Sequence, residues 1–152
     1  MADYAVLTEL LNLSNVKVVH YQLVGQDRIN LFIEPTLEMA LCPDCGQASA
    51  ALHETGEPQM IRDLAIWDRQ CWLRLAPRRF QCTGCQATFV ERLAWREPNR
   101  GYTMRYEQYI YQRTRQEPIL QVARDEQLSE EIVQGIFERW AKKRSQRGAG
   151  RS

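Results

Sequence analysis

Cys42-Pro43-Asp44-Cys45-Gly46, answered downstream by Cys82-Thr83-Gly84-Cys85, is the stretch on which the reading of this 152-residue chain turns. A two-residue spacer lets both sulfurs of a C-x-x-C pair face one point, so two pairs can close a tetrahedral shell around one metal ion. Gly46 suits the first turn, because a residue just after the second ligand can take positive φ and aim backbone N–H groups at the sulfurs. Pro43 stiffens that turn, whereas the second pair has Gln86 where Gly46 would correspond. The second knuckle is therefore the less typical one.

Two disulfides satisfy the same arithmetic, but the chain opens Met-Ala-Asp-Tyr, with no cationic and apolar leader to direct it to an oxidising compartment. A rubredoxin-like iron centre uses the same four ligands, and spacing does not choose iron over zinc. A closed shell of four thiolates leaves no open coordination position, so the expectation is a structural Zn2+ on Cys42, Cys45, Cys82 and Cys85. Cys71 alternates with Leu73 and Leu75 and reads as a small buried apolar residue. His20 and His53 have no partner at ligand spacing and read as surface or core side chains.

Working outward, 44% hydrophobic residues suffice for one ordinary domain or two small ones. No apolar run approaches the ~20 residues a membrane span needs, so a soluble, cytoplasmic protein is expected. The net charge of +1 hides an asymmetry: residues 1–91 carry 7 Lys/Arg against 11 Asp/Glu, and residues 92–152 carry 13 against 8. A polyanionic partner is expected to meet the second part.

Before the first knuckle, Asp3 to Leu11 reads as a short helix capped by Asp3, with Val6, Leu7, Leu10 and Leu11 on one face. Val16 to Val24 and Ile29 to Glu34 read as strands joined through Gly25. Between the knuckles, Ala50 to Glu54 is expected to pair back with Gln59 to Leu64 across Thr55-Gly56-Glu57-Pro58. Arg69 to Leu75 is the clearest strand, and Thr88-Phe89-Val90 closes the set. Sheet and knuckles together predict a zinc ribbon over residues 1–92, in which metal substitutes for a core that so small a sheet cannot build. Arg78 and Arg79, just before the second knuckle, suit either a phosphate contact or a solvated sheet edge.

Residues 93–102 read as a linker. Thr103 then caps a helix to about Arg115, with Tyr106, Tyr109, Ile110 and Arg113 at helical spacing. Pro118 opens a second helix whose inner face is Ile119, Val122 and Ala123. Ser129 caps a third, burying Ile132, Val133, Ile136, Phe137 and Trp140. Three helices over 103–143 with a tight turn before the last suggest a helix-turn-helix, and 144–152 reads as a basic, disordered tail. On the far side of the last helix Gln134 is the natural base reader, because its amide both donates to and accepts from adenine. Arg139, Lys142, Lys143 and Arg144 suit phosphate. Glu130 and Glu131 in the first turn argue against close DNA approach.

The matching segments run from Leu10-Leu11-Asn12-Leu13 through Cys42-Pro43-Asp44-Cys45-Gly46, Ile61-Arg62-Asp63-Leu64 and Arg78-Arg79-Phe80-Gln81-Cys82 to Thr88-Phe89-Val90. With them the chain resembles the N-terminal region of a group of bacterial insertion-sequence transposases, in which a zinc-binding domain precedes a helix-turn-helix and an RNase H-like catalytic domain. In that family strand transfer belongs to three carboxylates of the later domain, which this chain ends too early to contain. The resemblance therefore implies an α+β protein, a zinc ribbon followed by a helix-turn-helix, that binds double-stranded DNA without catalysis, as a transposon-end binder or a reused regulator. The rival reading is an adaptor that docks onto a larger nucleoprotein or transposition complex. A third is an iron-holding redox protein.

Overall fold

The computed structural model describes residues 4–149, which divide between Thr103 and Met104 into two compact units. The first unit holds α1 (Ala5–Leu11), β1 (Val16–Val24), β2 (Arg28–Pro35), β3 (Ala40–Leu41), β4 (Ala48–Ser49), β5 (Leu52–Thr55), β6 (Gln59–Ile66), β7 (Arg69–Leu75), β8 (Arg78–Gln81) and β9 (Thr88–Val90). The second holds α2 (Met104–Thr114), α3 (Ile119–Glu126) and α4 (Glu130–Ala149). No helix among the described residues is long and apolar enough to cross a membrane.

The first unit is more than a ribbon. A four-stranded sheet in the order β1-β2-β7-β6 buries Val16, Val18, Ile29, Leu31, Ile33, Ile61, Cys71, Leu73 and Leu75 on one face, with Leu11 and Trp95 packed among them. Strict alternation in β2 and β7 produces this: Ile29, Leu31 and Ile33, then Cys71, Leu73 and Leu75, all fall on one side of the pleat. β2 and β7 run parallel, from Arg28 opposite Gln70 to Phe32 opposite Arg74. Parallel neighbours need a long crossover, and this one carries the first knuckle. The expectation that metal replaces a missing core is corrected: the sheet has its own.

The expected hairpin between 50–54 and 59–64 does not form. β5 pairs with β8 instead, and β6 turns back on β7. The turn Thr55 to Pro58 suits a hairpin locally, but Ile61 can bury only on the large sheet, opposite Leu73. In α1, Leu11 is buried and Leu7 partly so, while Val6 and Leu10 are exposed, which narrows the expected apolar face. Tyr4 occupies the cap position, and the proposed cap Asp3 lies outside the described residues.

The stretch 93–102, expected as a linker, packs on the sheet. Trp95 is buried and donates its indole N–H to the Ser14 carbonyl at 3.2 Å, and Arg96 donates to Gln59 at 2.8 Å. Gly101 to Thr103 then runs alongside Arg62, with the Arg62 N–H donating to the Gly101 carbonyl and the Thr103 N–H to the Arg62 carbonyl, both at 2.9 Å. The Thr103 hydroxyl donates to the buried Asp63 carboxylate at 2.8 Å. The Arg62-Asp63 pair of the shared motif thus holds the end of the first unit against the sheet edge.

In the second unit α2, α3 and α4 meet through Tyr106, Ile110, Tyr111, Val122, Ala123, Val133 and Ile136, all buried. Ser129 caps α4 by accepting the Ile132 N–H at 3.2 Å, and Gln127 makes the preceding turn at φ 56°. Ile132 is more exposed than its place on the expected inner face implied. The disordered tail expected from 144 is instead helical to Ala149, continuing α4 through Arg144, Gln146 and Arg147, good helix formers, in spite of Gly148; the rest of that tail lies outside the described residues.

Candidate metal centre and nucleic-acid interface

Each knuckle is held at the tip of an antiparallel pair, β3 and β4 around Cys42 and Cys45, β8 and β9 around Cys82 and Cys85. The two are built alike. Gly46 N–H donates to Cys42 O at 2.8 Å and Cys42 N–H to Gln47 O at 2.9 Å; Gln86 N–H donates to Cys82 O at 3.1 Å and Cys82 N–H to Ala87 O at 2.8 Å. Gly46 sits at φ 74° and Gln86 at φ 66°, so the glutamine adopts the conformation for which glycine is favoured. The hairpins are tied by Ser49, whose hydroxyl donates to the Gln81 carbonyl, and by Gln81 N–H donating to Ala51 O at 2.9 Å. Phe80 and Phe89, stacked at 6.1 Å, fill a small second core with Ala40 and the sulfurs of Cys42 and Cys82.

The four Sγ atoms lie within 4.8 Å of one another, with Cys42 and Cys85 3.6 Å apart and Cys45 and Cys82 3.4 Å apart. A tetrahedron of sulfurs at the ~2.3 Å zinc–thiolate distance has edges of about 3.8 Å, so the cage matches that size. None of the five cysteines forms a disulfide. Cys82 is held down to about 6 by the N–H groups of Cys85 and Gly84, at 3.5 and 3.4 Å, against the opposing effect of burial. Cys85 rises to about 12, against the pull of the Ala87 N–H, because it shares a proton with Cys42 and is desolvated. Such unequal thiols share protons that a divalent cation displaces. Cys71, His20 and His53 stand outside the cage. Cys71 lies in the sheet core, and His20 sets its ring edge-on against Phe32 at 5.0 Å.

The cationic residues are placed unequally. Arg78 is locked by Glu91, which accepts from its Nε at 2.6 Å and its Nη2 at 2.7 Å, and by the Leu37 carbonyl at 2.7 Å. Arg79 is more open, paired with Glu54 at 3.2 Å. Arg139 donates to the buried Glu107 carboxylate at 3.1 Å, which also accepts the Trp140 indole N–H at 3.1 Å. Lys142 and Arg144 are exposed, and Lys143 lies over the Trp140 ring at 5.0 Å. Gln134 is exposed but donates to Glu138 at 2.9 Å, in a groove that also contains Glu130 and Glu131. On the outer side of the large sheet, to which no function was expected to fall, Arg28, Asn30 and Phe32 alternate on one strand and Gln70, Trp72 and Arg74 on its neighbour. The period-two pattern was the available signal.

Residues 38–85 match a family described as the zinc-finger of transposase IS204/IS1001/IS1096/IS1165, and residues 91–141 match the helix-turn-helix domain of transposase family ISL3. The transposase for insertion sequence element IS1001 of Bordetella parapertussis is 34% identical over 67 residues, which are 44% of this chain and 16% of that protein. No solved structure matches the chain.

Proposed function

We infer, from a chain that carries in order the zinc-ribbon and helix-turn-helix modules of the ISL3-type insertion-sequence transposases, that it is a zinc-stabilised, non-catalytic double-stranded-DNA-binding protein. The observation that carries this reading is the last part of α4, where Lys142, Lys143, Arg144 and Arg147 follow one another with no intervening carboxylate. Such a helix lays cations along a phosphate backbone and gains free energy from released counterions. Zinc on Cys42, Cys45, Cys82 and Cys85 supplies rigidity alone, since four thiolates leave it no reactive position. Among the cations, Lys142, Lys143 and Arg144 contact phosphate, Arg79 is a lesser candidate, and Arg78 and Arg139 act by holding the fold. Gln134 reads adenine once it exchanges Glu138 for the base.

Competition binding with matched and scrambled duplexes tests this. Lys142→Ala should weaken all duplexes alike and flatten the salt dependence by about one unit, and Gln134→Ala should reduce discrimination among sequences. If both variants keep the parent affinity and selectivity, α4 is not the reader. The adaptor reading then replaces it, and one observation favours that rival: Glu130, Glu131 and Glu138 crowd Gln134 beside Ile119 and Leu120, a groove suited to a basic, partly apolar protein surface. An adaptor interface of that kind loses less affinity with rising salt than phosphate binding does.

A further inference from the structure

Four of the seven Lys/Arg of residues 1–91 gather on the face of the large sheet opposite its core: Lys17, Arg28, Arg62 and Arg74. Among the described acidic residues of that segment, Glu34 alone joins them, at one end and paired in register with Lys17. Lys17 and Arg74 are exposed and Arg28 is half-buried, while Arg62 is buried, so a segment that is acidic in sum carries its solvent-facing positive charge here on Lys17, Arg28 and Arg74. Aromatic rings are interleaved with the cations. The Arg28 guanidinium lies over the Trp72 ring at 4.6 Å, Arg62 lies 5.9 Å from the same ring, and Arg74 lies over Phe32 at 5.0 Å. Asn30, which accepts a hydrogen bond from Arg28 at 2.9 Å, stands between the two aromatic centres, beside Trp72 across the parallel pair. Arg74 is exposed, and Arg28, Phe32 and Trp72 are half-buried.

We propose that this face binds single-stranded nucleic acid, with Arg28 and Arg74 leaving the rings they cover to meet phosphates and bases stacking on Trp72 and Phe32 in their place. Aromatic side chains alternating with cations are what a sequence-tolerant single-strand platform requires, because every base has a π-face and every nucleotide a charge. Size argues against a duplex. Three interstrand spacings of ~4.8 Å place the outer strands about 14 Å apart, wider than the ~12 Å major groove, so this sheet cannot enter it. A duplex lying across the face would meet the arginines but keep its bases stacked inside, leaving Trp72 and Phe32 without a role. Asn30 offers its N–H2 group to a base edge between the two stacking positions.

The zinc-loaded 152-residue chain should bind a short fluorescein-labelled oligothymidylate, read by fluorescence anisotropy. The double variant Arg28→Ala with Arg74→Ala should lose about tenfold in that affinity while keeping its duplex affinity. Lys142→Ala with Lys143→Ala should do the reverse, which separates this site from the helical reader. Arg74→Lys keeps the charge and loses the planar stack, so it should fall between parent and double variant; an unchanged circular dichroism spectrum confirms that each variant is folded. Absence of oligothymidylate binding by the parent, an unchanged affinity in the folded double variant, or an equal loss for duplex and single strand would each overturn the proposal.

Discussion

Gln86 shows how a residue type and a conformation can disagree. At φ 66° it pays for a left-handed turn that Gly46 makes freely, because the second knuckle needs the same backbone hydrogen bonds as the first. Gln86→Gly is expected to stabilise the ribbon by about 1 kcal/mol, measured as a raised denaturation midpoint. Trp67, 94% exposed at φ 53° in the β6–β7 turn, invites the same test: Trp67→Gly should raise the midpoint of the large sheet by a similar amount. Cys71 is fully buried in that sheet and apart from the cage, so Cys71→Ala should leave metal content unchanged at a cost of about 1 kcal/mol. Zinc stoichiometry by elemental analysis checks it.

At the scale of elements, α2, α3 and α4 are held by polar pairs as well as by the buried Tyr106, Ile110 and Ile136. Arg113 at the end of α2 donates to Glu117 at 2.8 Å and to Asp125 of α3 at 2.6 Å. Its guanidinium holds both carboxyls below their ordinary values. A carboxylate depressed on folding contributes stability that is present above its unfolded value, near pH 4, and is lost as pH falls through the folded one. Thermal midpoints of the helical unit should therefore drop below about pH 4, and Arg113→Met should flatten that drop. Arg139 and the buried Glu107 join α4 to α2. Arg139→Ala leaves a buried carboxylate short of its partner and should destabilise the helices by about 3 kcal/mol, whereas a phosphate-binding role alone would leave their stability unchanged. Chemical denaturation distinguishes the two.

For the whole molecule, the consequence is unfolding in parts. The large sheet owns a hydrophobic core of Leu31, Ile61 and Leu73, while the ribbon has little beyond Phe80, Phe89 and four sulfurs. Removing zinc with a chelator, or replacing Cys82 by Ser, should release the ribbon and leave the sheet and helices folded, because metal-binding energy is folding energy only where the metal is the core. Hydrogen exchange should then show lost protection in β8 and β9 with retained protection in β2 and β7. Protection lost throughout would show that the sheet depends on the metal.

The sequence by itself determined what short-range geometry dictates: two C-x-x-C knuckles aimed at one point, the alternation of β2 and β7, the Ser129 cap and the three helices with their principal buried residues. Each pattern is written in a short run of residues, and the family matches over 38–85 and 91–141 take in the knuckles, β7 and the three helices. Tertiary structure alone decided which strand β5 and β6 would choose, because several short strands offer equivalent edges and burial of Ile61 settles the competition. It also converted 93–102 from a linker into a packed segment, since one indole finds its apolar site and its acceptor, the Ser14 carbonyl, far back in the chain. The fates of the arginines were equally out of reach of local pattern. Arg78 and Lys142 look alike as letters, but only the fold sets Glu91 against the first and leaves the second in solvent.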